Sequence, residues 1–162
     1  MKKCIVFLFA FCFIAFACTK DESLLQDEDL NVLTELKAKK PKTKTLSIKR
    51  SWGTMEYAQN EECGVLLIVE GQGNANLLGR FKVRNEACLG GGEFYWWGRL
   101  TAANGDEINT VVDMTWEGDG YYYIIMEGTG RFEGAKGYII MDGDIDYGNM
   151  TFELYGEGEI TY

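Results

Sequence analysis

The chain has 162 residues, 25 of them acidic and 16 basic, with no histidine, which gives a net charge of −9. That length suits one domain with a sizeable hydrophobic core. The missing imidazole excludes Ser-His-Asp triads, histidine metal sites and histidine pH switches, and the acidic balance argues against nucleic acid as a partner, because phosphate binding needs a cationic footprint.

Residues 1–17 read as a secretion signal. Lys2 and Lys3 precede an apolar run from Cys4 to Ala17 that is too short to span a bilayer comfortably. The run ends Ala15-Phe16-Ala17-Cys18, which resembles the lipobox of bacterial lipoproteins, where the cysteine is acylated and becomes the first residue. Cys18-Thr19-Lys20-Asp21-Glu22 looks like the Cys-x-Lys-acid-acid signal that sends lipoproteins of certain Gram-negative bacteria to the cell exterior. Cys18 is therefore expected to carry lipid and to hold the protein on the outer membrane, exposed at the cell surface. The alternative is a cleaved signal followed by a chance cysteine. Each buried methylene of an acyl chain contributes about 0.8 kcal/mol, so several chains on one residue give stable anchoring.

Residues 18–44 are expected to form the lipidated cysteine and a flexible linker. From residue 19 to residue 44 there is no Gly and no aromatic side chain, and the end, Lys39-Lys40-Pro41-Lys42-Thr43-Lys44, is basic and extended. That end is either a solvated spacer or a contact for anionic headgroups and sugar phosphates.

From residue 45 to residue 162 the pattern changes. All twenty Gly lie at or after Gly53, and the hydrophobic period becomes two. Strands are expected over residues 45–57, 64–71, around Phe81 and Val83, over 92–102, along Ile108, Thr110, Val112, Met114 and Trp116, over 120–127 and 137–146, and along Met150, Phe152, Leu154, Ile160 and Tyr162. Asn104-Gly105 is a hairpin signal, since both residues accept positive φ. Gly90-Gly91-Gly92, Gly118-Asp119-Gly120 and Gly148-Asn149 mark further turns. No long helical period interrupts the series. The expected fold is all-β: about eight antiparallel strands in a closed barrel, preceded by a signal peptide and a tether.

Of the five cysteines, Cys4 and Cys12 leave with the signal and Cys18 carries lipid. Cys63 and Cys88 remain, in an oxidising compartment. A disulfide is the economical reading; two unpaired thiols at opposite ends of the barrel is the alternative.

Gly128-Thr129-Gly130-Arg131-Phe132-Glu133-Gly134-Ala135-Lys136-Gly137-Tyr138 resembles the GTGxFxGAxG segment of the allene oxide cyclase and dirigent β-barrels. Bacterial secreted proteins of similar pattern also carry a GNATHLG-like stretch and a turn like AANGDE. Here these are Gly73-Asn74-Ala75-Asn76-Leu77-Leu78-Gly79 and Ala102-Ala103-Asn104-Gly105-Asp106-Glu107, with Leu77 where that pattern has His. The resemblance covers roughly residues 50–162 and implies an eight-stranded, lipocalin-like (calycin) barrel, with Phe132 able to plug one end. Plant members cyclise an unstable fatty-acid epoxide or guide phenoxy radical coupling. None of their catalytic residues matches a position here, so those activities do not transfer.

The remaining candidates are few. Asp142, Asp144 and Asp146, with Glu153 further on, mimic the spacing of a calcium loop, but Tyr147 stands where that loop needs Gly; alternate acids on the wet face of a strand are the plainer reading. Glu70 and Glu127 each close an apolar strand beside Gly and are the carboxylates to weigh as an acid/base pair. Trp96, Trp97, Trp116 and Tyr122 are the candidate ligand-binding side chains: some would pack inside, others would offer an aromatic surface to a sugar, lipid or protein. The expectation is a non-enzymatic, lipid-anchored barrel that needs no cofactor and binds a small hydrophobic molecule or a glycan. The rivals are a cyclase- or isomerase-type enzyme on a hydrophobic substrate and a structural module that docks an envelope protein.

Overall fold

In the computed structural model, which describes residues 41–90 and 94–162, eight antiparallel strands follow one another round a closed barrel. They are β1 (Thr43–Asn60), β2 (Gly64–Ala75), β3 (Gly79–Cys88), β4 (Trp96–Ala102), β5 (Glu107–Val112), β6 (Tyr121–Gly128), β7 (Lys136–Asp146) and β8 (Thr151–Thr161). Each strand pairs with its neighbours in sequence, and β8 returns to β1, where Thr161 faces Thr43. Closure leaves no open edge to template pairing with another chain. The expected signal, Cys18 and nearly all of the expected linker lie outside the described residues.

Period two explains the core. Phe152, Leu154, Gly156, Gly158 and Ile160 of β8 are buried, while the residues between them are exposed. Phe81, Val83 and Asn85 do the same in β3. Small residues make room for large ones on facing strands. A methyl group on Gly73 would stand 2.4 Å from the Phe81 ring, and one on Gly71 would stand 2.9 Å from the Phe152 ring. The interior is thus filled by interleaved aromatic and glycine positions.

One end of the barrel is shut. The connection between β6 and β7 contains a single 3-10 turn, Gly130–Phe132, that drives Phe132 into the core, fully buried and edge-on to Tyr162 at 5.2 Å. Asp106 holds this turn from the β4–β5 hairpin, accepting a hydrogen bond from the Arg131 amide and pairing with its guanidinium at 3.4 Å. Asn76, in the β2–β3 turn, clamps β1: its side chain donates to the Thr45 carbonyl and accepts from the Ser47 amide. Leu78 and Ala135 complete the buried floor.

The disulfide forms at the opposite end, joining the residue just before β2 to the last residue of β3 with a Cα–Cα distance of 5.5 Å. Two expectations need correction. The strand expected to run on through Met114 and Trp116 stops at Val112, leaving those side chains 58% and 40% exposed. The cause is Asp113, whose carboxylate accepts from both the amide and the hydroxyl of Thr115 and so turns the chain. At the Asn104-Gly105 hairpin only Gly105 has a positive φ, 90°. Ala102 donates to Asp106 and Gly105 donates to Ala102, which makes a three-residue loop ending in a left-handed glycine.

Candidate functional site

A cavity of about 40 Å³ runs down the barrel interior from the end opposite Phe132. Its lining includes Ile48, Phe81 and Leu100 on the side of the shut end, and Trp96, Tyr121, Ile145, Tyr147 and Phe152 where strands begin or end at the open mouth, with Val69 and Met141 on the wall. The volume has room for about three water-sized groups, below the roughly 300–1,000 Å³ of a site enclosing a drug-sized ligand. Phe81 and Phe152 occupy most of the space that the inward glycines leave.

Four polar features interrupt the apolar wall. Ser51, Asn85 and Thr110 are buried and line the cavity. Gly98 lets Asn85 and Thr110 approach each other, because a Cβ there would lie 2.3 Å from Asn85 Oδ1 and 2.8 Å from Thr110 Oγ1. Asn85 Nδ2 donates to the Tyr123 hydroxyl at 3.3 Å. Burial pushes the Tyr123 phenol well above the ordinary tyrosine value, so it stays protonated. Tyr121, at the mouth, is also raised, first by partial burial and then by the Tyr147 phenol beside it. The fourth feature is Trp96, tilted against Tyr121 with ring centres 5.8 Å apart. Its Nε1–H is buried and finds no acceptor among the described residues. A buried indole donor normally has a partner.

The side chains singled out in the sequence separate by face. Trp96 lines the cavity; Trp97, Trp116 and Tyr122 lie outside. Trp116 folds back over Gly118, donates from Nε1 to the Asp119 carbonyl, and stacks on Tyr122 at 4.8 Å. Tyr122 in turn stacks on Tyr138 at 5.4 Å. Tyr122 is thus packed against two neighbouring rings on the outer wall and does not reach the cavity. Trp97, Val111, Ile124 and Tyr138 follow each other across four strands in register, forming an outer apolar strip.

The carboxylates do not assemble. Glu70 is exposed and pairs with Arg84; Glu127 is exposed on β6 and accepts from Asn109. They belong to non-adjacent strands and point outward, so they are not an acid/base pair. Asp146 is consumed by the β7–β8 turn, accepting from the Gly148 and Asn149 amides and the Asn149 side chain, which hold its carboxyl below the usual range. Asp142 accepts from Tyr155. No group of three acids suited to a metal ion forms among the described residues.

Sequence reasoning did not single out Asn85, Ser51 or Thr110 as site residues, although Thr110 already stood in the inward register of its strand with Ile108 and Val112. The signal is polarity in an inward register, and for Asn85 and Ser51 that register is fixed only by the strand pairing.

No family model and no curated protein matches the chain. Among solved structures, the barrel is similar to that of the pterocarpan synthase dirigent protein PsPTS1, with a TM-score of 0.57 and 12% identity over 76% of this chain and 97% of that one. The pterocarpan synthase dirigent protein GePTS1 is similar to the same degree, with a TM-score of 0.57 and 14% identity over 80% of this chain and 95% of that one. At these identities the likeness establishes a dirigent-like barrel fold.

Proposed function

We propose that the protein is a lipid-anchored envelope protein, tethered to the outer membrane through Cys18, whose barrel mouth binds a compact, uncharged, mainly apolar ligand without converting it. The observation that carries this reading is the Trp96 Nε1–H, without an acceptor among the described residues, in a cavity whose described lining holds no carboxylate, ammonium or guanidinium group. A charged ligand would lose its hydration there and meet no opposite charge among the described lining residues. A neutral molecule bearing one acceptor, such as a carbonyl or ether oxygen, would complete the indole's hydrogen bond. The small volume favours insertion of one end, with the remainder held at the rim by Tyr121 and Tyr147. The cyclase or isomerase reading needs a group that moves a proton near neutral pH. The cavity's ionisable groups are phenols, and Tyr121 and Tyr123 are both shifted further from neutrality.

Native mass spectrometry of the lipidated protein extracted from host membranes is expected to show a retained small molecule, and Trp96→Phe is expected to weaken its retention. A clean apo mass from gently extracted protein would sink the ligand reading. Separately, Cys18→Ala should move the protein from the membrane to the soluble fraction, and unchanged membrane association would refute the tether.

A second reading, docking of an envelope protein, is favoured by the outer strip of Trp97, Val111, Ile124 and Tyr138. Glu159 stands beside Tyr138 at one end of the strip, while at the other Glu86 is paired with Arg84 and the Arg99 guanidinium lies over the Trp97 ring, so both signs of charge border it. The matching partner is a protein with an apolar face and a rim of mixed charge. Ile124→Asp should abolish such a complex in crosslinking from intact cells while leaving ligand retention unchanged.

A further inference from the structure

The barrel is acidic, yet its positive charge is not scattered. Residues 51–162 hold six basic and nineteen acidic groups. Three of those six, Arg80, Lys82 and Arg84, stand on the outer face of β3, where Arg84 is paired with Glu70 and Glu86, and Lys49 and Arg50 lie across the sheet from Arg80 and Lys82 on β1.

Register brings these groups together. Arg50 faces Asn74, which faces Arg80; one row along, Trp52 faces Gln72, which faces Lys82. A β-bulge between Ile48 and Arg50 leaves Lys49 and Arg50 both exposed, so one strand end presents two consecutive cations. Lys49, Arg50, Asn74, Asn76 and Arg80 line an open cleft of about 510 Å³, and no acid lines it. The Arg50 guanidinium is held at the cleft edge, over the Trp52 ring at 4.8 Å and bonded to Glu153 at 2.7 Å. Lys49, Arg80 and Lys82 form no ion pair among the described residues.

We infer that the outer face of β1–β3 is a binding platform for an acidic polysaccharide, a sugar chain carrying carboxylate groups. Arginine forks bind carboxylates in two-pronged fashion, lysines add charge, and the Asn74 and Gln72 amides suit sugar hydroxyls. The platform is narrow. Arg50 and Arg80 sit two strands apart, about 9.6 Å at ordinary strand spacing. Beyond them stand carboxylates: Glu153 and Glu157 on β8, and Glu70 and Glu86 further along β2 and β3. A flat anionic membrane pressed on this face would meet those acids as well, and a nucleic acid duplex would need a wider footprint. A single flexible chain can follow the cations and avoid the acids. The platform is on the outer wall and does not depend on the cavity.

The test is binding of polygalacturonate to the full-length protein in detergent at low salt. Neutral dextran, phosphatidylglycerol-containing vesicles and a single-stranded oligonucleotide serve as the other arms. Polygalacturonate is expected to bind and dextran is not, with affinity falling steeply as salt rises. Replacing Lys49, Arg80 and Lys82 together by Gln should weaken binding about tenfold or more at an unchanged thermal midpoint. Glu153→Gln, which releases Arg50, should tighten it about threefold. Equal binding of the triple variant, equal binding of dextran, or tighter binding of vesicles or oligonucleotide overturns the proposal. Loss of the cavity ligand in Trp96→Phe leaves these outcomes untouched, so the two readings fail separately.

Discussion

At the scale of the single residue, the interior is decided by a few polar atoms. Tyr123 is buried as a neutral phenol, with Asn85 as its partner. Its folded value lies above the unfolded 10.0, so the stability it confers is complete below pH 10 and declines as pH rises beyond it. The exposed carboxyls behave oppositely. Glu153 beside Arg50, Asp113 beside Thr115 and Asp146 in its turn are held low, so what they contribute is present above the ordinary carboxylate range and lost on acidification below it. Tyr123→Phe should lower stability at about pH 8 by about 1 kcal/mol, because the Asn85 amide loses its acceptor. Between about pH 8 and about pH 11, either side of the ordinary tyrosine value, the variant should lose less stability than the parent. Urea unfolding at the two pH values measures both effects; an equal alkaline loss in the variant would remove Tyr123 from the account.

At the scale of the element, strands were legible in the sequence and their limits were not. Alternating burial in β3, β5 and β8 follows from period two, because one face of each strand must exclude water. Met114 and Trp116 kept that period yet left the sheet, since the Asp113–Thr115 hydrogen bonds are a local bargain that periodicity does not register. The bulge at Lys49 was hidden for a similar reason: one extra residue shifts a register without altering composition. The motifs that resemble the dirigent and cyclase barrels proved to be connected. Asp106 of one grips Arg131 of another, Asn76 of the third clamps β1, and all three gather at the shut end. They specify the floor of the barrel and leave its mouth unconstrained, which is why the fold could be read and the ligand could not. The orphan Trp96 donor depends on which strands face one another, and a linear chain does not display that. Glycine positions in β2 offer a sharp test of the packing. In Gly73→Ala the added methyl meets both the Phe81 ring and the Arg50 carbonyl at 2.5 Å, so backbone must shift. The expected loss is about 1–3 kcal/mol in denaturant unfolding; a neutral result would show that both the Phe81 ring and the β1 backbone at Arg50 give way without cost, against the tight packing described.

At the scale of the whole molecule, two closures hold the ring. The Cys63–Cys88 bond spans 25 residues and straps β2 to β3 beside the mouth. By chain entropy it contributes about 3.5 kcal/mol, so replacing both cysteines by Ala should lower the unfolding free energy by about that amount, and reduction should do the same to the parent protein. The other closure is the seam between β1 and β8. Every other pairing joins strands that are consecutive in sequence, whereas the hydroxyls of Thr43 and Thr161 meet across 118 residues. That seam is the one costly long-range event in assembling the barrel, since bringing distant ends together is what slows β-rich chains. Its two ends are also neighbours in space. A chain with residues 43 and 161 joined by a short Gly-Ser bridge and opened between Asn104 and Gly105 should therefore fold to the same ring. In refolding kinetics its slow, length-dependent closure should move from the β1–β8 pair to the β4–β5 pair. β1 is first only because the chain is cut at that seam; as a folded object the barrel is a circle of eight joints, seven of them bridged by a loop.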